Sequence, residues 1–331
     1  MLRVPERRIG VTVVPPVGPG IAVNMIPGTQ QLRVTARIEK AFGAPGRADL
    51  RITNLGPLER DIAAGIIRRA SELDPLAFAS LGTTAAAGIP IPAAVLAGAL
   101  GGGAGQEAAI LASGGGLVTV AAGYDVPAVI FRGSSDYADS LRVGVEWTTE
   151  IRASDGALGE SLGLASATFP IGTPFAAVVD YCRTTLGLGV GTPVPPVAIA
   201  STALLKPLTL LGQTRQVFEQ TLDLLDVDWW VEDGALYLLD RGLALPLPPA
   251  RFADLVTPGA SQLLDRPQPL AEGQIGILAR FTPGLTLGQP VTLETLRHPG
   301  AYRCVALAHT LDNRGGAFTT SATLEPLGLA L

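Results

Sequence analysis

GYDVPAVIFRGSSDYADSLRVGVEWTTEIRASDG, residues 123–156, is the stretch from which the fold is read. Its second half alternates: Leu141, Val143, Val145, Trp147, Thr149 and Ile151 share one face, and Arg142, Gly144, Glu146, Thr148, Glu150 and Arg152 the other. Period-2 alternation of this length predicts one half-buried antiparallel strand over 141–152. A shorter β run covers Val126–Phe131, and Gly133-Ser134-Ser135-Asp136 has the composition of a turn between them. Asp155-Gly156 ends the strand, since glycine tolerates the positive φ a turn needs.

Outward from this stretch the pattern repeats. Toward the N-terminus, a short strand is expected at Ile9–Val14. Leu32, Val34, Ala36 and Ile38 then alternate with Arg33, Thr35, Arg37 and Glu39. A Gly43-Ala44-Pro45-Gly46 turn leads to ADLRITNL, residues 48–55, which completes a hairpin. Pro57 opens a helix reaching about Ser71. Residues 76–116 are an insertion of Ala, Gly, Pro and small aliphatics. Its repeated Gly and Pro interrupt any membrane helix, so a loop is the first reading, with an intersubunit helix or a membrane-active segment at 85–105 as alternatives.

Beyond Gly156 the character changes. Thr173-Pro174 reads as an N-cap and first helical position, with Phe175, Val178, Val179, Cys182 and Leu186 on one helical face. Residues 187–212 read as an irregular connection with a strand at Val197–Ser201. A second helix covers Thr214–Asp226, followed by strands at 227–231 and 235–240 around Asp233-Gly234. Strands return at 275–281, 290–295, 300–311 and 317–324, a barrel-like unit. The chain thus divides into 1–156, a β-domain carrying the insertion; 157–245, a small α/β part; and 246–331, a second β-domain. The fold class is mainly β with a small two-helix α/β middle.

Composition narrows the function. Among 331 residues there are 40 Gly and 27 Pro, charged residues are 16% and net charge is −5. Turns are frequent, charge is sparse, and a surface largely covered by partners accounts for that. No Lys/Arg block supports tight nucleic-acid binding. The N-terminus lacks a signal-peptide pattern, so synthesis in a cytoplasm is expected. Cys182 and Cys304 stand in no metal spacing and read as two free buried thiols, with one disulfide as the alternative.

No set of residues stands out as catalytic, cofactor-binding or metal-binding. His298 and His309 are the only histidines and lack converging ligands nearby in sequence. There is no Gly-x-Ser-x-Gly elbow. The glycine run at 101–105 lacks the Lys-Ser/Thr of a phosphate loop. Asp223, Asp226, Asp228, Glu232 and Asp233 cluster at a helix end and a turn, where such residues are common. Trp229-Trp230 point to opposite strand faces, so at most one is expected in a core, the other meeting a neighbouring element or a partner.

Several segments resemble the baseplate hub proteins of tailed phages and contractile injection systems: ADLRITNLGPLERDI (48–62), GY…VIFRGSS…LRVGVEWTTEIRASDGA (123–157), FEQTLDLLDVDWWVEDGALYLLD (218–240) and the closing β segment from Gly284 to Leu327. The resemblance implies two tail-tube-like β-domains flanking the α/β part. It implies a homotrimer whose pseudo-six-fold ring joins the tail tube, or a distal-tail ring protein, to a central spike. A tape-measure contact, a channel passing DNA without sequence-specific binding during ejection, and a place in the virion tail baseplate follow from the same likeness. It implies no enzyme activity and no cofactor. The rival readings are a tail-tip cell-wall hydrolase and a membrane-active tip protein.

Overall fold

A computed structural model of the chain describes residues 6–14, 21–24, 32–63, 116–124, 126–155, 163–191, 196–254 and 260–327. Apart from Gly116, the insertion at 76–116 lies outside the described residues, as does the helix expected beyond Ala63. The fold is mainly β. The chain forms two compact units, 1–36 with 48–154 and 311–316, and 37–47 with 155–310 and 317–331.

In the first unit, β1 (Arg7–Val14), β2 (Ile21–Val23), the start of β3 (Val34–Ala41) and most of β4 (Arg47–Thr53) precede the short helix α1 (Pro57–Ala63). β5 (Leu117–Tyr124), β6 (Ala128–Val143) and β7 (Glu146–Ser154) follow. The sheet order is β3-β4-β7-β6-β5-β1-β2. Burial follows the alternation read from sequence: Val34, Ala36, Leu50, Ile52, Val118, Val120, Ile151 and Ala153 turn inward. The two ends of the sheet meet through one side chain. Asn24, just past β2, donates to the Leu32 carbonyl and accepts the Leu32 N–H, both at 2.8 Å.

The second unit holds two cores. One is built by β8 (Leu164–Phe169), α2 (Phe175–Thr185), β9 (Gly189–Val190), α3 (Val197–Ser201), β10 (Leu208–Gln213), α4 (Thr214–Asp223), β11 (Val227–Glu232) and β12 (Ala235–Asp240). The other is built by β13 (Ala250–Ala253), β14 (Ser261–Gln262), β15 (Gln268–Pro269), β16 (Ile275–Arg280), β17 (Pro290–Glu294), β18 (Gly300–Asp312) and β19 (Phe318–Pro326). The strands run β14-β13-β17-β18-β19-β16. The ring closes where Leu263 bridges Ala279 and the Leu264 N–H donates to the Leu278 carbonyl. This is a small barrel, and closure removes exposed edges.

Three local expectations are corrected. Residues 197–201 form a helix: Pro196 precedes it, and the Asp240 carboxylate accepts the N–H groups of Val197 (3.0 Å) and Ala198 (3.4 Å). That cap comes from about 40 residues downstream, out of reach of a local reading. Thr173 does not cap α2; Pro174 holds the cap position, and the Thr173 hydroxyl donates back to the Pro170 carbonyl. Strands β8 and β10 occupy stretches that carried no strand expectation.

Candidate functional site

The opening stretch is a hairpin, not one strand. β6 and β7 pair from Ser134↔Ser154 out to Val143↔Glu146, so the chain reverses at Gly144-Val145. Gly144 has φ 64° and Val145 is not among the positive-φ residues, as in a type II′ turn, whose first central position wants glycine. The alternation of 141–152 therefore crosses a turn. The expected turn at 133–136 is strand, with the register slipping between Ser135 and Tyr137. The register skips Asp136 at this bulge, and its carboxylate accepts the Ser154 hydroxyl.

The hairpin is an arm with a packed base and an open end. Phe131, Thr149, Ile151 and Ala153 are buried, whereas Leu141, Val143 and Val145 are 52%, 65% and 90% exposed. Near the open end Trp147, paired with Arg142, ties β7 to the segment after β4. The Arg60 guanidinium lies 3.8 Å above its ring, its N–H donates to Asn54 Oδ1 (3.2 Å), and its carbonyl accepts the Asn54 N–H (2.7 Å). Outward side chains near the base pair across strands, Arg51 with Glu150 (3.0 Å) and Arg152 with Asp49 (3.7 Å). Such exposed pairs contribute little stability each. A ladder with an exposed apolar end and a charge-paired flank is suited to contact.

In the second unit the singled-out residues are structural. Asp223, Asp226 and Asp228 surround the Arg241 guanidinium at 3.6, 3.1 and 3.3 Å. Arg303, 2% exposed, bonds Asp228 (2.8 Å), Glu325 (2.7 Å) and the Leu243 carbonyl (3.1 Å). Glu232 pairs with Lys40. Asp233 and Gly234, at φ 50° and 64°, make the two-residue turn between β11 and β12. Both tryptophans are buried, correcting the expectation of at most one. Trp229 meets Phe218 edge-on in the first core, and Trp230 stacks on Tyr237 in the second, beside Phe42. One strand thus serves a core on each face.

His309 is buried, with Nδ1 2.9 Å from Thr320 Oγ1 and its ring edge-on to Phe281; burial, reinforced by Lys40, lowers its pKa to about 3. The His298 N–H donates to Thr295 Oγ1 (3.3 Å) in a turn. Cys182 and Cys304 are free and buried, and burial pushes their thiols up to about 11 and 12. Asp155, 3% exposed, accepts the Gly234 N–H at 2.6 Å; burial, then Asp233, raises its carboxyl to about 8. Among the described residues no group of three or more His, Cys, Asp or Glu is placed to hold a metal. A groove of about 670 Å³ runs beside β16, β18 and β19, floored by Gly276, Ala306, Ala308 and Ala322. Sequence reading missed the arm's end and Asp155. Gly144 between two valines was the available signal for the first; nothing local marked the second.

The architecture, two mainly β units that both carry short helices, defines a fold found in phage tail proteins. The chain matches the 43 kDa tail protein of prophage MuSo2 from Shewanella oneidensis over 95% of its own length and 97% of the other, at 9% identity and TM-score 0.54. It matches a tail protein of Neisseria meningitidis MC58 over 97% and 96%, at 10% identity and TM-score 0.55. It also matches the E. coli c3393 protein, a type VI secretion component described as similar to T4 tail proteins gp27 and gp5, over 92% and 76%, at 9% identity and TM-score 0.51. No known family profile matches the sequence, and no curated protein sequence does.

Proposed function

We propose that this chain is a structural protein of a phage-type tail, the hub of the baseplate or tail tip. Fold agreement along nearly the whole of two tail proteins carries this reading. The likeness to a protein described as similar to gp27 and gp5 supports a position beside the spike. In this reading residues 1–156 and 246–331 act as two tail-tube-like β-domains and 157–245 as the module between them. Three copies form a pseudo-six-fold ring between the tail tube and the central spike, with a channel for DNA. The net charge of −5 favours passage of DNA without adhesion. The open arm supplies surface for subunit contacts, as a closed ring requires. The chain has no chemistry of its own and works in the virion.

Light scattering on the purified full chain is expected to give a trimer, and electron microscopy a ring with a central hole. A stable monomer at micromolar concentration overturns the proposal.

A further inference from the structure

β8 and β10 form a two-stranded sheet with unlike edges. Six antiparallel pairs run from Leu208↔Phe169 to Gln213↔Leu164. The Ser166 N–H donates to Tyr181 Oη at 3.0 Å, so it points away from β10, and that edge of β8 is covered by α2. Ser166↔Leu211 is therefore a pair that exchanges no backbone bonds, and so by alternation are Thr168↔Thr209 and Leu164↔Gln213. The Thr168 and Thr209 hydroxyl oxygens lie 3.2 Å apart, in keeping with the closer side chains of such a pair. Thr209 and Leu211 thus aim their N–H and C=O groups outward from the other edge, and Gln213 its N–H, while the Gln213 carbonyl, at the N-cap of α4, opens that helix. Among the described residues no strand pairs there.

This edge lacks the usual protections. LASATF and LTLLGQ contain no charge and no proline, the devices that blunt a free edge. On the open face above it two leucines stand among Ser166, Thr168, Thr209 and Gln213: Leu164 is 71% and Leu211 76% exposed. The opposite face is fixed, with Ala165 and Leu210 in the core. Lys206-Pro207 bound the edge at one end and α4 at the other, leaving room for about six residues.

We propose that the outer edge of β10 is a strand-addition site for another polypeptide, which adds an extended, uncharged stretch with alternate apolar side chains and an acidic residue beyond it, set near Lys206. Backbone bonds to Thr209, Leu211 and Gln213 supply affinity, and Leu164 and Leu211 receive the apolar side chains. A second copy fits less well: paired about Leu211, it sets Arg215 and Gln216 beside Lys206 and offers it no acid. The proposal stands apart from the hub reading.

The test uses the full chain and a fluorescent peptide, DTVTVTVD, followed by anisotropy. Saturable binding is expected. N-methylation of one set of alternate residues weakens it at least about tenfold, and N-methylation of the other set leaves it unchanged, since only one set bonds the edge. Leu211→Lys and Lys206→Glu each weaken it severalfold. Leu211→Pro removes one outward N–H without touching the β8 ladder and weakens binding similarly. Equal loss from both N-methyl sets, an unaffected Leu211→Lys, or no saturable binding overturns the proposal. Self-association that Leu211→Lys abolishes also overturns it, by assigning the edge to a second copy. The ring of the hub reading is scored independently by microscopy of the same variant.

Discussion

Asp155→Asn should change how stability depends on pH. Asp155 is buried, with its N–H donated to the Gly46 carbonyl and Oδ1 accepting the Gly234 N–H. Around it stand Asp233, Glu232, Lys40 and Tyr237. Burial raises its carboxyl from 3.8 to about 8, Asp233 and Glu232 push the same way, and the Gly234 bond and Lys40 oppose them. A carboxyl whose folded pKa is raised stabilises the fold fully only below its unfolded value. That contribution is lost as pH climbs through the folded value. At ~1.4 kcal/mol per pH unit, the wild type should lose about 4 kcal/mol between pH 5 and pH 9 relative to a variant that cannot ionise. Asparagine keeps an acceptor for Gly234, so the turn survives. Urea denaturation of both proteins at pH 5, 7 and 9 reads the difference directly. Because all other titrating groups are common to both, parallel stability curves would refute the argument that Asp155 sits neutral in this pocket.

Two further substitutions test the packing. Trp230→Ala empties a position 1% exposed between Tyr237 and Phe42, and should cost about 3–5 kcal/mol in urea denaturation; a loss under ~1 kcal/mol would mean the second core does not depend on it. Gly133→Ala places a Cβ 2.6 Å from the Ser154 carbonyl oxygen and 2.7 Å from the Phe131 ring, so β6 and β7 must separate locally; thermal melting should drop by several degrees, and an unchanged melting temperature would contradict the close approach at the arm's base.

The regular strands were legible because one face of each is buried. Ile9–Val14, Val34–Ile38 and the runs at 275–281, 290–295 and 317–324 alternate, and the structure buries the apolar set in each, whereas in the run at 300–311 the buried parity shifts between Cys304 and Leu307. Asp233-Gly234 marked its hairpin because that turn needs two positive φ values. Alternation failed at Gly144-Val145 for a physical reason. A two-residue turn inverts the parity: Val143 pairs with Glu146 and Arg142 with Trp147, so Leu141 and Val143 lie on the face opposite Trp147, Thr149 and Ile151, and apolar residues of two faces read as one long strand. It also misled on burial, since Leu141, Val143 and Val145 are apolar without being inside. The helix at Val197–Ser201 and the neutral carboxyl at Asp155 were out of reach because each depends on distant residues, the first on the Asp240 carboxylate and the second on burial and on Asp233.

The same contrast bears on function. Polar groups that looked like candidates for chemistry are consumed inside the second unit: three aspartates by Arg241, Asp228 and Glu325 by Arg303, Glu232 by Lys40. Two sets of apolar and backbone groups with open valences, the end of the β6–β7 arm and the outer edge of β10, face outward instead. Of these only Arg303 is fully buried, and its charge is met within the chain, which favours a rigid scaffold because leaving it unpaired is costly. Outward apolar and backbone groups favour assembly, because water satisfies the first poorly and another strand satisfies the second well. A protein built this way spends its polar side chains on holding shape and leaves contact surface outside, as the ring proposed above requires. Microscopy of a variant with Val143 and Val145 changed to Asp tests that proposal: the monomer should stay folded and the proposed ring should not form, whereas a ring formed by the variant would refute a contact role for the arm's end.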